Sequence, residues 1–569
     1  MRQADFSRHG CTQVESFTLM NRSMSARMAL SCLLAGAALT LTACSVQLYK
    51  FPQYTFADRP IPPSKLANRV LVAIANPSAL ASGKLQILDA YRDIRNNIQN
   101  TVVEFDVSGF AANRPNYIEN FPVESRGYVY GSGDGSFNLI NYGTEQGTGA
   151  VPNMPPHSDS ITATEDFFHI YAATTALGIV TVNDTQQGVY ILNIPGVSKI
   201  VANPANTVVL ALVTNANTVY RIVKLNSGQA APPGFIDCEP QINPVYCALP
   251  VTGTFDRPTG GYFSLDGSQV YIFNCGPECG GTRASISFLS LAPLIINNIP
   301  TSAPYPTPVV ANVAVPGGVT VGVSDGTTLY LAGQQLHGDG YFAGNLSLIN
   351  LASLAVTNTY SIADGNHTRI LLADDNTLWI GSSLCATGER AHQAALGVTT
   401  QAANYNCLTR FVIGANPILP AWSANTAYAV GQQVTDGANI EVVQTAGTSG
   451  ATTPSWKSMD NATTDGTVVW VNLGTVTPAQ IIPGITPNNP TAATNVVLGY
   501  PNSDNNQYYY GDASGVCWVE YLHKVYTAYG GQVHAFNTID GSEINNMNIT
   551  VAGTALDVAY MDATTDSAN

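Results

Sequence analysis

The sequence predicts an all-β protein, a β-propeller of seven or eight blades carrying a small inserted β-module. Three observations predict it. A two-strand phrase recurs along the chain, its copies lie about one blade apart, and helical periodicity is almost absent. The clearest copy is Lys524-Val525-Tyr526-Thr527-Ala528-Tyr529, then Gly530-Gly531, then Gln532-Val533-His534-Ala535-Phe536-Asn537. β-Branched and aromatic residues on either side of a glycine turn are a hairpin signal. Other copies begin near Val70, Tyr128, His169, Val208, Val270, Leu329 and Leu378. Their partner strands fall at 85–88, 137–140, 179–182, 219–223, 285–289, 346–349 and 408–413. A blade usually takes about 40 to 50 residues. One hairpin cannot bury both faces, so such units must stack around an axis. Separate β-sandwiches, the competing architecture, would not account for a repeated phrase. Only residues 91–100 read as a short helix.

The elements follow in chain order. Residues 1–43 read as a leader, with the true start expected at Met20 or Met24. Arg22 and Arg27 precede an apolar run from Met28 to Leu41, and Leu41-Thr42-Ala43-Cys44 closes it. A basic region, an apolar region and a small-residue cleavage site make a secretory signal. Ending on cysteine, the segment resembles the lipobox of bacterial lipoproteins. That resemblance implies cleavage before Cys44, a lipid on its thiol and a membrane anchor. Ser45 follows where the inner-membrane retention signal would place Asp, so the expected location is the outer membrane, on its periplasmic or cell-surface face. Residues 44–67 are expected to be a tether.

The first part of the propeller spans 68–415, and its last blade and ring closure span 496–563, before a tail at 564–569. The first hairpin, from Val70, has no preceding inner strand. The last segment, Ala555-Leu556-Asp557-Val558-Ala559-Tyr560, has no following hairpin. Pairing the two would close the ring and remove exposed sheet edges. The repeats resemble the lactonase-like and YVTN-repeat propeller superfamily over roughly 68–414 and 496–563.

Between 416 and 474 the spacing stretches far beyond one blade, and Pro417 and Pro420 open the stretch. An inserted module is expected there, followed by a Pro- and Asn-rich linker over 475–495. Trp422, Tyr428, Gly431 and Val434, with Pro454-Ser455-Trp456 further on, resemble small chitin-binding and tail-fibre modules. That resemblance makes Trp422, Tyr428 and Trp456 candidate ligand-binding residues, since aromatic faces suit sugar C–H faces. Ile440 and Thr445 depart from the aromatic pattern of those modules. The other reading, which the residues favour, packs these aromatics with Trp470 as the core of a domain of some 55 residues.

The chain has ten cysteines. In an oxidising compartment disulfides are the default. Local spacing suggests Cys238–Cys247, Cys275–Cys279 and Cys385–Cys407, and leaves Cys517 over. No Cys-x-x-Cys pair or neighbouring histidine gives zinc spacing, so no metal and no cofactor are expected. Gly322-Val323-Ser324-Asp325-Gly326 matches G-x-S-x-G, but a strand follows it where a nucleophile elbow needs a helix. It reads as a turn, like the Asp-Gly pairs at 134, 266, 325, 364 and 540.

Composition narrows the function. Hydrophobic residues make up 45% of the chain and charged residues only 11%, against about 25% in a typical domain. A net charge of −15 argues against nucleic acid, which needs a basic face, and against anionic lipid headgroups. The expected function is a lipid-anchored binding or scaffold protein of the cell envelope, with an unidentified protein or envelope glycan as partner. A lactonase-like hydrolase and a subunit of an outer-membrane assembly complex are the alternatives. A cluster of His, Glu, Asp or Arg with shifted pKa values converging on the central funnel would favour an enzyme. No catalytic residue can be named from the sequence.

Overall fold

Each copy of the phrase folds as the second and third strands of an antiparallel sheet. The computed structural model describes residues 59–76, 78, 81–95, 105–151, 154–239, 245–336, 342–362, 367–382, 407–414, 420–429, 432–458, 461–475, 479–483, 515–529, 531–544 and 549–565. Among them, eight sheets of three to five strands correspond to the eight copies, and a four-stranded and a two-stranded sheet lie in the stretch where an inserted module is expected. Numbered by their inner strands in chain order, sheet 1 is that of Pro115–Phe121, sheet 2 that of Ser160–Ala163, and so on to sheet 8, that of Thr554–Tyr560; sheet 2 shows the pattern. His169–Thr174 pairs with Ile179–Asp184, flanked by Ser160–Ala163 inside and Gly188–Asn193 outside. The middle pair is the most buried because neighbouring sheets cover both of its faces. This is why those strands are continuously apolar and easiest to find in sequence.

The polar residue that ends the third strand also has a physical reason. Asp184 Oδ1 accepts hydrogen bonds from the N–H groups of Gln186 and Gln187 at 3.1 and 3.2 Å. Asn350 Oδ1 does the same for Ala352 and Ser353, and Asn141 Oδ1 for Thr144. An Asx turn thus ends the strand and starts the next hairpin. Asp89 does so as well, toward Tyr91 and Arg92, and pairs with Ile94 through a bridge. The helix expected over 91–100 is absent from the described residues there: 91–95 form a turn, closed by the reciprocal backbone hydrogen bonds between Asp89 and Ile94.

The first strand of each sheet, or in the closing sheet its last, lies on the inside, and these inner strands follow one another in a circle. In chain order they are Pro115–Phe121, Ser160–Ala163, Lys199–Ala202, Pro258–Phe263, Gly318–Ser324, His367–Ala373, Gly515–Val519 and Thr554–Tyr560. Polar side chains stitch neighbours together. Ile200 N–H donates to Ser160 Oγ at 3.1 Å, Thr259 Oγ1 to the Val319 carbonyl at 2.7 Å, and Ile118 N–H to Asp557 Oδ2 at 2.7 Å. The hydrophobic core is divided accordingly into layers between adjacent sheets. One layer packs Tyr171, Val180 and Tyr190 of sheet 2 against Val209, Ala211 and Ile222 of sheet 3. This is a β-propeller.

The ring closes between the two ends of the described chain. Thr554–Tyr560 pairs antiparallel with Arg69–Ala75, from Val70↔Tyr560 to Ala75↔Thr554 with one bulge. Arg69, 3% exposed, joins the ends to sheet 1. Its guanidinium meets Asp562 at 2.6 Å and Glu145 at 2.8 Å, and its N–H donates to Asp562 at 2.7 Å. Arg59 also reaches Asp562, and Ser64 binds Glu145 through N–H and Oγ.

Other expectations meet the structure locally. Cys238–Cys247 bridges paired strands Asp237–Cys238 and Val245–Pro250, and Cys275–Cys279 closes a 3-10 turn. Cys517 is a buried free thiol. Cys44 and Cys385 lie outside the described residues, and only the backbone of Cys407 is described. Gly322–Gly326 ends the strand Gly318–Ser324 in a turn, with Gly326 at φ 89°, and leads into another strand. The stretch expected to be a linker, 475–495, holds a strand: Ala479–Pro483 returns from the insert and pairs with Cys407–Val412 as the outer strand of sheet 6. Its Pro-flanked sequence hid it, since proline is tolerated at a sheet edge.

Breaking one partner of a buried ion pair costs about 3 to 5 kcal/mol. Asp562→Ala should lower the unfolding free energy, read by chemical denaturation, by about that much. A loss under about 1 kcal/mol, the range of an exposed pair, would contradict the role given to the Arg69 cluster.

Candidate functional site in the axial channel

Inner strands of a propeller line a central channel. Six side chains from five of them converge: Tyr117 and Glu119, Thr162, Lys199, Arg369 and Asp557. Tyr117 and Glu119 are two residues apart on Pro115–Phe121, so they share one face of the strand. Ile118 and Asn120 point the other way and are buried. Asn120 Nδ2 donates to the Tyr560 carbonyl at 2.9 Å and Oδ1 accepts from Tyr142 at 2.6 Å, which holds the strand in place. Tyr117 donates its hydroxyl proton to Glu119, and Thr162 reaches the other Glu119 oxygen at 3.5 Å. Asp557 is 4% exposed and accepts from the N–H groups of Ile118 and Val558 at 2.7 and 2.9 Å. Gly515 makes room for it, since a Cβ there would stand 2.1 Å from Asp557 Oδ1.

The electrostatics of these groups are unusual for a chain with so few charges. Burial pushes the Glu119 carboxyl up to about 7, although the Tyr117 hydrogen bond and Lys199 pull the other way. Burial likewise raises Asp557 to about 6 against the pull of Arg369 and its two amide donors. Lys199 is lowered, by desolvation first and then by Arg369, with Glu119 opposing. Tyr117 stands well above the usual phenol range because it is buried beside Glu119. Lys199 keeps open surface although the surrounding protein desolvates its ammonium. Its ammonium has no hydrogen-bond or ion-pair partner among the described residues. The channel thus presents two cations, two carboxyls near their titration points and two hydroxyls. This set can hold an anionic group, accept hydrogen bonds from hydroxyls, and take up or release a proton near neutral pH.

The aromatic residues proposed for ligand binding in the insert turn inward. Tyr428 and Trp456 pack edge-on against Trp470 at 4.7 and 5.8 Å, and Trp422 packs on the same cluster. Trp422 and Trp470 both donate their indole N–H to Asp465, at 2.8 and 3.2 Å. Each of the three remains only partly exposed. In the same sheet as Trp470, Glu441 is fully buried with no hydrogen-bond partner on either oxygen among the described residues, and burial pushes its carboxyl up to about 8.

No protein-family model matches the sequence, and no curated protein is similar enough to count as a relative. Solved structures do align. One is hydrazine synthase of Kuenenia stuttgartiensis, at 16% identity and TM-score 0.36, over 56% of this chain and 80% of that one. A functionally unknown protein from Desulfotomaculum acetoxidans aligns at 15% identity and TM-score 0.36, over 61% and 93%. Dihydro-heme d1 dehydrogenase NirN in complex with DHE aligns at 12% identity and TM-score 0.37, over 74% and 79%. Likenesses this distant carry no argument about chemistry. The propeller assignment rests on strand order and ring closure.

The channel groups make stability depend on pH. Glu119 titrates near 7 in the folded chain, above its ordinary 4.5. Its contribution is therefore full below the ordinary value and is lost as pH rises through about 7. Unfolding free energy should fall between those two pH values, and Glu119→Gln should flatten that fall. Carboxyl NMR should place the Glu119 midpoint near 7, and Lys199→Met should move it higher. An ordinary midpoint, or an unchanged slope in the Gln variant, would contradict the assignment.

Proposed function

We propose that this chain is a lipid-anchored, extracytoplasmic binding protein of the cell envelope, and that its ligand occupies the axial channel. The observation that carries the reading is Lys199: an ammonium without a hydrogen-bond or ion-pair partner among the described residues, in the electrostatic reach of Arg369 and of Glu119, a carboxyl of raised pKa. A small hydroxy acid fits this set. Its carboxylate would bridge Lys199 and Arg369, and its hydroxyls would donate to Glu119 and Asp557. The channel is preferred to the insert because the insert's aromatics are engaged with one another. Envelope location and the anchor rest on the leader and on Cys44.

A second reading is a hydrolase. Glu119 favours it, because a carboxyl titrating near 7 is suited to general-base work at neutral pH. In that role it would take a proton from water attacking an ester or lactone held by Lys199 and Arg369.

Calorimetry with galacturonate and with neutral galactose tests the binding reading. Galacturonate should bind, galactose should not, and Lys199→Met should weaken the former by about tenfold or more, the worth of one charge-assisted contact. Equal binding of both sugars, or of neither, would sink it. Turnover of a sugar lactone that vanishes in Glu119→Gln would select the hydrolase instead. The anchor is tested separately: Cys44→Ser should release the protein from membranes or block its processing. A variant that is processed normally and stays bound would rule the anchor out.

A further inference from the structure

We propose a second ligand site, outside the channel, that binds a monocarboxylate with a compact apolar body over Arg221. Arg221 lies on the strand Thr218–Leu225 of sheet 3 and is only 5% exposed. The connection after Ser285–Ser290 of sheet 4 folds back over it. The Ile296 carbonyl accepts from Lys224 N–H at 2.9 Å, and Thr307 Oγ1 donates to the Thr252 carbonyl at 2.9 Å. Tyr305 donates to the Pro233 carbonyl. Between the connection and the sheet is a cavity of about 350 Å³, with Arg221 in its wall. That is the lower end of the range for small-molecule sites, about 300 to 1,000 Å³.

The charge of Arg221 is what calls for a ligand. One nitrogen, Nη1, donates to the carbonyls of Pro293 and of Asn298, the latter at 3.2 Å. Among the described residues only Nη1 has protein partners; Nε and Nη2 have none and border open space. Its nearest ionisable neighbour is the Tyr305 phenol, which is neutral at physiological pH, and burial lowers the Arg221 pKa. The other deeply buried arginines are compensated. Arg69 has two carboxylates, and Arg410 has Asp375 and Asp540 nearby. A buried cation without an anion is costly, and an anion in the adjoining cavity removes that cost. One guanidinium calls for one negative charge. Pro250, Pro300 and Pro306 give the cavity rigid apolar walls, and Thr301 and Ser302 stand at it with hydroxyls. A carboxylate on Arg221 with a short hydrocarbon body against the prolines satisfies both features.

Hexanoate and hexan-1-ol are suitable probes, read by ligand-observed NMR on the mature full-length protein at low salt. Hexanoate should bind saturably, and hexan-1-ol at least about tenfold more weakly, because it lacks the charge-assisted bonds. Arg221→Gln should weaken hexanoate by a similar factor. Thr301→Trp fills the cavity without touching the carbonyls that hold Nη1, so it should abolish binding while the fold persists. Thus the proposal stays testable even if the Arg221 variant fails to fold. Lys199→Met should leave hexanoate binding unchanged, which separates this site from the channel. Absence of saturable binding up to tens of millimolar, binding that survives Thr301→Trp, or binding lost in Lys199→Met would each overturn it.

Discussion

The seam between Arg69–Ala75 and Thr554–Tyr560 joins segments almost 500 residues apart in sequence (|i−j| of 493 for the Arg69–Asp562 bond). Without it, the sheet begun by Arg69–Ala75 would present an open edge, and the circle of inner strands would have a gap beside Pro115–Phe121. The Arg69 cluster sits at the end of this seam. A buried ion pair is a poor source of net stability, but it is strict about geometry. Arg69 finds both Asp562 and Glu145 only when the first strand, the last strand and sheet 1 are all in place. The cluster therefore sets register at the point where a circular fold can slip.

The channel chemistry follows from that closure. Asp557 belongs to the closing strand itself, and its oxygens are held by amides of sheet 1 and of its own strand. Glu119 lies on the next inner strand, while Lys199 and Arg369 come from sheets 3 and 6. Burial keeps water from Asp557, Glu119 and Lys199, and this shifts those three toward their neutral forms. A chain with a net charge of −15 thus sets two cations, Lys199 and Arg369, among its channel groups, with Glu119 and Asp557 as their opposing carboxyls.

The fold was legible where the physics is local. Second and third strands are buried on both faces, so they read as apolar runs, and the Asp or Asn that follows is needed for the turn. Ala479–Pro483 was not legible: it is an edge strand, hydrogen-bonded to a neighbour along one side only, with proline nearby. The tryptophans of the insert were visible, but not their direction, which depends on Asp465 collecting two indole N–H groups. The channel site was the least legible part. Glu119, Thr162, Lys199, Arg369 and Asp557 lie on five separate strands with no motif in common. One weak signal existed. In a sequence only 11% charged, each charged member stands inside a strand that precedes or closes a repeat unit, where an apolar residue would be the default.

Hydrogen exchange of the seam amides under native conditions addresses the closed ring most directly. Stability in a protein is not uniform, and segments that open on their own exchange with their own free energy. The account predicts that amides of Arg69–Ala75 and Thr554–Tyr560 exchange together, only through the global unfolding that also exposes the middle strands of sheets 2 to 5. Exchange of the Thr554–Tyr560 amides through an independent, much cheaper opening, with the rest of the ring still protected, would show that closure is incidental and contradict the account.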